Sequence, residues 1–123
     1  MKKILIIDDE PIIRTSCERT LAPKGYAVTS AASGAEGLAL LEKEPFSVVL
    51  LDFKMPDMDG MEVLKKIQAS SSSAKVIIIT GYSNVDTAVR ALRSGAYNYI
   101  EKPFTPDKIL SAVKEAIDDL EEK

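Results

Sequence analysis

Histidine is missing from all 123 residues, which removes the commonest general base and the commonest transition-metal ligand together. Tryptophan is missing as well, and the single cysteine, Cys17, has no partner for an internal disulfide. Cys17 falls in a helical pattern with Ile13, Thr20 and Leu21, so it reads as a small core residue in a reducing, cytoplasmic setting. Long apolar runs are lacking too. Met1-Lys2-Lys3 begins like an export signal, but Ile4 to Ile7 is stopped by Asp8-Asp9-Glu10, and neither a secretory leader nor a membrane span is expected. Positive charge is short: 16 Lys and Arg stand against 19 Asp and Glu, a formal net charge of −3, which argues against a direct nucleic-acid surface. The chemistry of this chain must run on carboxylates, lysines and hydroxyls.

What remains suits one compact unit. At this length, with 46% hydrophobic residues, the expectation is a single domain over residues 1–123. Ile4 to Ile7, Val48 to Leu51 and Val76 to Ile79 are short continuous apolar runs, the pattern of strands covered on both faces of a parallel sheet. Tyr26 to Ala31 and Asn98 to Ile100 are weaker strand candidates. Between them lie sets spaced by three and four: Ile13, Cys17 and Leu21; Ala35, Leu38 and Leu41; Met61, Leu64 and Ile67; Val85, Ala88, Val89 and Leu92; Ile109, Leu110, Val113 and Ile117. Each set marks one helix face, and those of the fourth and fifth helices are expected to be buried. Boundary residues agree. Pro11 suits a first helical turn, Ser33 with Glu36 forms a capping-box pattern, Gly95 falls where a helix should stop, and Thr105-Pro106 starts the last helix. Strand and helix alternate five times, which predicts an open α/β sheet with helices on both faces.

In such a sheet the functional crevice lies beyond the carboxyl ends of the strands. Asp8-Asp9, Asp52, Thr80 and Lys102-Pro103 follow the first, third, fourth and fifth strands, so three carboxylates, a hydroxyl and an ammonium share one rim. Clustered carboxylates must bind protons or share a cation, and an all-oxygen set selects a hard ion such as Mg²⁺ that also binds phosphate oxygens. An ionised Asp52 beside that ion and Lys102 could attack a phosphoryl donor in line. Singly, each residue has a plainer explanation: Asp9 or Glu10 favouring a helix dipole, Asp52 capping a turn, Lys102 as a surface lysine. It is their joint placement that supports the chemical reading.

Taken together, Asp8-Asp9, the segment from Leu51-Asp52 to Met55-Pro56-Asp57-Met58-Asp59-Gly60, Thr80-Gly81 and Tyr99 to Lys102-Pro103-Phe104 resemble the response-regulator receiver family over essentially the whole chain. The resemblance implies a flavodoxin-like fold with five parallel strands in the order 2-1-3-4-5. It implies Asp52 as phosphoacceptor, Mg²⁺ held by Asp8, Asp9, Asp52 and the Lys54 carbonyl, Lys102 paired with the phosphoryl group, Thr80 and Tyr99 as switch positions, and a cis Lys102-Pro103 bond. It also implies that Lys54 and Tyr82 influence the lifetime of the phosphoryl group. The partners implied are a sensor histidine kinase or phosphotransfer protein, an output domain or partner read through helix four, strand five and helix five, and a phosphorylation-linked homodimer. The stretches Thr80-Gly81-Tyr82 to Gly95-Ala96-Tyr97 and Glu101 to Phe104 further resemble receivers of nitrogen-regulation-type transcriptional activators. The chain is expected to be a signalling switch that catalyses only its own phosphorylation and dephosphorylation.

Competing readings meet specific obstacles. A flavin carrier on the same sheet needs hydroxyls and glycines after strand one, where this chain has acids. A phosphatase with an aspartate nucleophile resembles a pattern of two aspartates separated by one residue, and Asp8 and Asp9 are adjacent. Asp57-Met58-Asp59-Gly60 looks like part of a calcium loop, but setting Gly60 at its sixth position puts Met55 and Lys66 where carboxylates are required. That segment is expected instead to be a turn, with Gly60 supplying unusual backbone angles. A receiver-like module without chemistry would have no need of the intact acidic set.

Overall fold

A computed structural model of the chain describes residues 2–70, 72–81 and 85–121. Five strands, β1 (Lys3–Ile7), β2 (Ala27–Ala31), β3 (Val48–Asp52), β4 (Lys75–Thr80) and β5 (Asn98–Glu101), alternate with helices α1 (Pro11–Leu21), α2 (Gly34–Lys43), α3 (Gly60–Ala69), α4 (Val85–Arg93) and α5 (Pro106–Glu121). All pairings are parallel and the sheet order is β2-β1-β3-β4-β5. The chain therefore reverses direction of winding beside β1, and the crevice opens between β1 and β3 at their carboxyl ends.

The period of two along each strand divides the core. Ile4 and Ile6 of β1, Val48 and Leu50 of β3 and Ile77 and Ile79 of β4 turn to one face, where Cys17 and Leu21 of α1 and Ile109, Val113 and Ile117 of α5 cover them. Leu5, Ile7, Val49, Leu51, Val76 and Ile78 turn to the other, under Met61, Val63, Leu64 and Ile67 of α3 and Ala91 of α4. β3 is buried at every position, Asp52 included, because it is a central strand with cover on both sides. The predicted boundaries hold. Pro11 opens α1; the Ser33 hydroxyl accepts the Glu36 amide at 3.2 Å while Glu36 accepts that of Ala32 at 2.7 Å; Gly95 follows α4 at φ +106°; and Thr105 precedes α5, its hydroxyl accepting the Lys108 amide at 3.3 Å.

Two expectations are corrected. The apolar stripe of α4 does not face the body: Val85 is 79%, Leu92 47% and Val89 39% exposed, and Ala91 is the fully buried residue of the helix. Periodicity identifies an apolar stripe, whereas contact with the sheet is made by a small side chain that lets the backbone approach. Gly60 needs no unusual angle either, since the positive-φ glycines among the described residues are Gly25 and Gly95. Its reason is space. A Cβ there would stand 2.6 Å from the Phe53 Cα and 2.8 Å from the Asp52 carbonyl oxygen, so the first residue of α3 can pack directly on the end of β3. α2 is similarly close, for a Cβ on Gly37 would fall 2.4 Å from the Ile7 side chain.

Candidate functional site

Asp8 follows β1 and Asp52 ends β3, two strands that run side by side with Ile7 opposite Leu51. Both carboxylates are buried, Asp8 completely. Lys102, just past β5, extends between them: its Nζ lies 2.9 Å from Asp8 Oδ2, 2.8 Å from Glu10 Oε1 and 3.6 Å from Asp52 Oδ1. The backbone holds the groups in place. Asp8 Oδ1 accepts the Glu10 amide at 2.9 Å, Arg14 donates to the Asp8 carbonyl at 2.7 Å, the Lys54 amide approaches Asp52 Oδ1 at 3.4 Å, and the Lys102 amide donates to the Thr80 carbonyl at 2.8 Å.

Burial decides the electrostatics of the two aspartates. Removal from water, reinforced by the negative charge of Asp8 and only partly countered by Lys102, pushes the Asp52 carboxyl up to about 7. Asp8 is raised by the same desolvation against the pull of the Glu10 amide and Lys102. Burial alone would lower the Lys102 ammonium, but Glu10 and Asp8 outweigh it and hold it above its ordinary value. The charges nonetheless do not balance, because one ammonium faces three carboxylates.

One oxygen of the site is suited to a cation. Asp8 Oδ2 is buried and accepts no hydrogen bond from the described residues; the Lys102 ammonium, 2.9 Å away, is its ion-pair partner. Carboxylate oxygens of Asp8, Glu10 and Asp52 lie within 4.8 Å of one another. Such a set fits a hard divalent ion.

The sequence-predicted residues fall as follows. Asp8, Asp52 and Lys102 converge. Asp9 is half-buried and outside the close trio, although its charge still raises Asp52. Lys54 is exposed, with its main chain beside Asp52. Thr80 is buried at the end of β4, one residue beyond Ile79, the register partner of Asp52. Tyr99 is half-buried on β5 opposite Ile78 and packs against the core beneath α4. The Lys102-Pro103 bond is cis. Tyr82 lies outside the described residues. Sequence reasoning missed Glu10 as a member of the site, assigning it to the helix dipole, and missed Arg14; the adjacent acid run was the available signal for the former. A cavity of about 770 Å³ lined by Leu38, Leu41, Phe46 and Ile67 lies at the opposite end of the sheet, so converging charge and not concavity marks the site.

Comparison with known proteins gives a consistent result. The family model described as the response regulator receiver domain matches residues 4–114. The transcriptional regulatory protein ZraR of Klebsiella oxytoca is 41% identical over 114 residues, 93% of this chain and 26% of that protein. A CheY-like response regulator receiver domain protein of Methanospirillum hungatei JF-1 superposes with a TM-score of 0.95 at 41% identity, covering 99% of this chain and 98% of that one. The beryllofluoride-activated NtrC4 receiver domain, solved as a dimer, gives a TM-score of 0.92 at 38% identity, with 97% and 98% covered. The chain spans about a quarter of the length of the curated relatives it matches. No helix among the described residues is long and apolar enough to cross a membrane.

Proposed function

Because the chain belongs to the response regulator receiver domain family, whose general function is phosphorylation-dependent switching, we propose that residues 1–123 form one such domain with Asp52 as the residue that accepts the phosphoryl group. The observation that carries this is the buried Asp52 carboxylate within 3.6 Å of the Lys102 ammonium and beside Asp8. An ionised Asp52 oxygen attacks the phosphorus of a phosphohistidine or a small acyl phosphate. A P–O bond forms to Asp52, the bond from phosphorus to the donor breaks, and the electron pair leaves with the donor. Lys102 offsets charge on the transferring oxygens. Mg²⁺ held by Asp8, Asp52, the Lys54 carbonyl and either Asp9 or Glu10 would supply the remaining positive charge and favour the ionised form of Asp52. Glu10 and Asp8 keep Lys102 charged and at the rim. Self-catalysed phosphorylation and dephosphorylation complete the cycle of a switch.

The relatives support a reading of the donor and the reader. A sensor histidine kinase or phosphotransfer protein is the donor, and an output domain like that of transcriptional activators is the reader. Thr80, next to the register partner of Asp52, and Tyr99 on the neighbouring strand carry the change outward. The phosphoryl group adds roughly −1.5 to −2 charge and new acceptor oxygens, which draw a hydroxyl donor inward. Thr80→Ala is therefore expected to keep phosphoryl uptake while losing most of the amide-shift response of residues 85–119. An unchanged response in the phosphorylated variant would remove Thr80 from the coupling.

The outward stripe Val85, Val89 and Leu92, with Arg90 and Arg93 beside it on α4 and Lys114, Asp118 and Asp119 on α5, gives the α4, β5 and α5 surface both apolar area and charges of both signs. A two-fold dimer can satisfy these across its axis. Sedimentation is expected to show dimer for the beryllofluoride-bound chain, monomer for the free chain, and loss of the dimer in Arg90→Glu. Monomer under both conditions would rule out self-association through this surface.

A further inference from the structure

Asp57 lies three residues beyond Lys54, in the loop between β3 and α3, yet its carboxylate serves a different element. Oδ1 accepts the amide of Gly34 and Oδ2 that of Ala35, each at 3.1 Å. These are the first two residues of α2, whose opening N–H groups have no partner inside the helix and carry the positive end of its dipole. The helix already has a cap of its own, for Ser33 takes the Glu36 amide. Asp57 reaches the same end from a position 22 to 23 residues away.

The loop is fastened along its length. At its root the Gly60 amide donates to the Phe53 carbonyl at 3.0 Å, and Asp59 accepts the Met61 amide at 3.0 Å to start α3. Next to Asp57, Met58 packs so closely on Gly34 that a Cβ there would stand 3.1 Å from the Met58 Cβ. Between root and tip is the main chain of Lys54, which approaches Asp52. The Ala35 and Gly34 amides hold the Asp57 carboxyl below its ordinary value despite some desolvation, so it is ionised throughout the neutral range.

We infer that Asp57 is a positioning residue for the phosphoryl site: by tying the β3–α3 loop to the start of α2, it fixes where the Lys54 carbonyl stands relative to Asp52 and Asp8. This rests on the reading that those groups hold a divalent cation. A cap serves α2 only, whereas a tie serves the loop as well, and the two roles predict different results. Groups that orient a metal ligand change affinity by about 10- to 100-fold when removed, and Asp57 acts on one ligand out of several.

The test is a Mg²⁺ titration of the whole chain, read by calorimetry and by the amide signals around Lys54, together with the urea unfolding midpoint. Wild type, Asp57→Ala, Asp57→Asn and Ser33→Ala are compared. Asp57→Ala is expected to weaken Mg²⁺ binding about tenfold, the low end of that range, with Asp57→Asn intermediate because it keeps one acceptor. Ser33→Ala should lower the unfolding midpoint while leaving Mg²⁺ affinity unchanged. If Asp57→Ala binds Mg²⁺ as wild type does, or if Ser33→Ala weakens binding equally, Asp57 is a helix cap and the inference is wrong. Failure of wild type itself to bind Mg²⁺ would instead overturn the cation reading, and this inference with it.

Discussion

Asp52→Ala is expected to abolish phosphoryl uptake from acetyl phosphate, leaving the intact mass of the chain unchanged where wild type gains one phosphoryl group in the presence of Mg²⁺. The effect should be all or none because the substitution removes the atom that forms the new bond. The neighbouring carboxylates do not replace it: Asp8 is fully buried and paired with Lys102, while Glu10 is exposed on the outer side of that lysine. Wild type without a divalent ion should label far more slowly at pH 7, since about half of Asp52, raised to about 7, is then protonated and the single ammonium is shared among three acids. Labelling of Asp52→Ala to the wild-type extent, with the phosphoryl group mapped elsewhere, would falsify the assignment.

The same substitution site governs stability in the opposite sense. Asp52→Asn is expected to make the metal-free protein more stable than wild type at pH 8. The folded state holds the Asp52 proton up to about pH 7, while the ordinary carboxyl value is 3.8. The fold therefore binds this proton more tightly than the unfolded chain does. That contribution favours folding fully below about pH 4 and is lost as pH rises through 7, where the carboxylate is ionised and desolvated. The difference between 3.8 and about 7 corresponds to at most about 4 kcal/mol. Asn also forfeits the attraction of Lys102, so a gain of about 2 kcal/mol is expected, measurable as a higher urea midpoint with unchanged slope. Between pH 7 and pH 4 the gap should close, and Mg²⁺ should narrow it at pH 8 by giving the ionised wild-type carboxylate a partner. Equal stability of the two proteins at pH 8 without metal would show that Asp52 is not strained by its surroundings.

Much of this was legible in the sequence, for identifiable reasons. Ile4 to Ile7 and Val48 to Leu51 declare strands covered on both sides because continuous apolar runs have no other inexpensive arrangement in water. Asp8 follows β1, Asp52 ends β3 and Lys102 follows β5, so the fold carries them to one rim without any knowledge of side-chain conformation. Glu10 was not legible as part of the site, since its carboxylate joins through Lys102, 92 residues away, and locally looks like an acid at a helix start. The tie from Asp57 to α2 was hidden in the same way. For α4, Val85, Val89 and Leu92 fix a stripe by their spacing, but spacing carries no record of which side meets the sheet. Gly60 was read for its backbone freedom when its lack of a side chain was what mattered.

The seating of α4 on Ala91 bears on how much work a signal must do. To carry a two-state equilibrium from 1:99 to 99:1 takes about 5.5 kcal/mol of preferential stabilisation, and every buried Leu or Ile that must be dislodged adds about 1.5–3 kcal/mol to the opposing side. α5, anchored by Ile109, Val113 and Ile117, would impose that penalty several times over. α4 has a single methyl group fully buried, and its large apolar side chains already meet water. Its displacement would expose little that was dry, so nearly all of the free energy that phosphorylation is proposed to release at Asp52 would be left to choose between conformations, and covering Val85, Val89 and Leu92 against a partner would add to the same side of the balance.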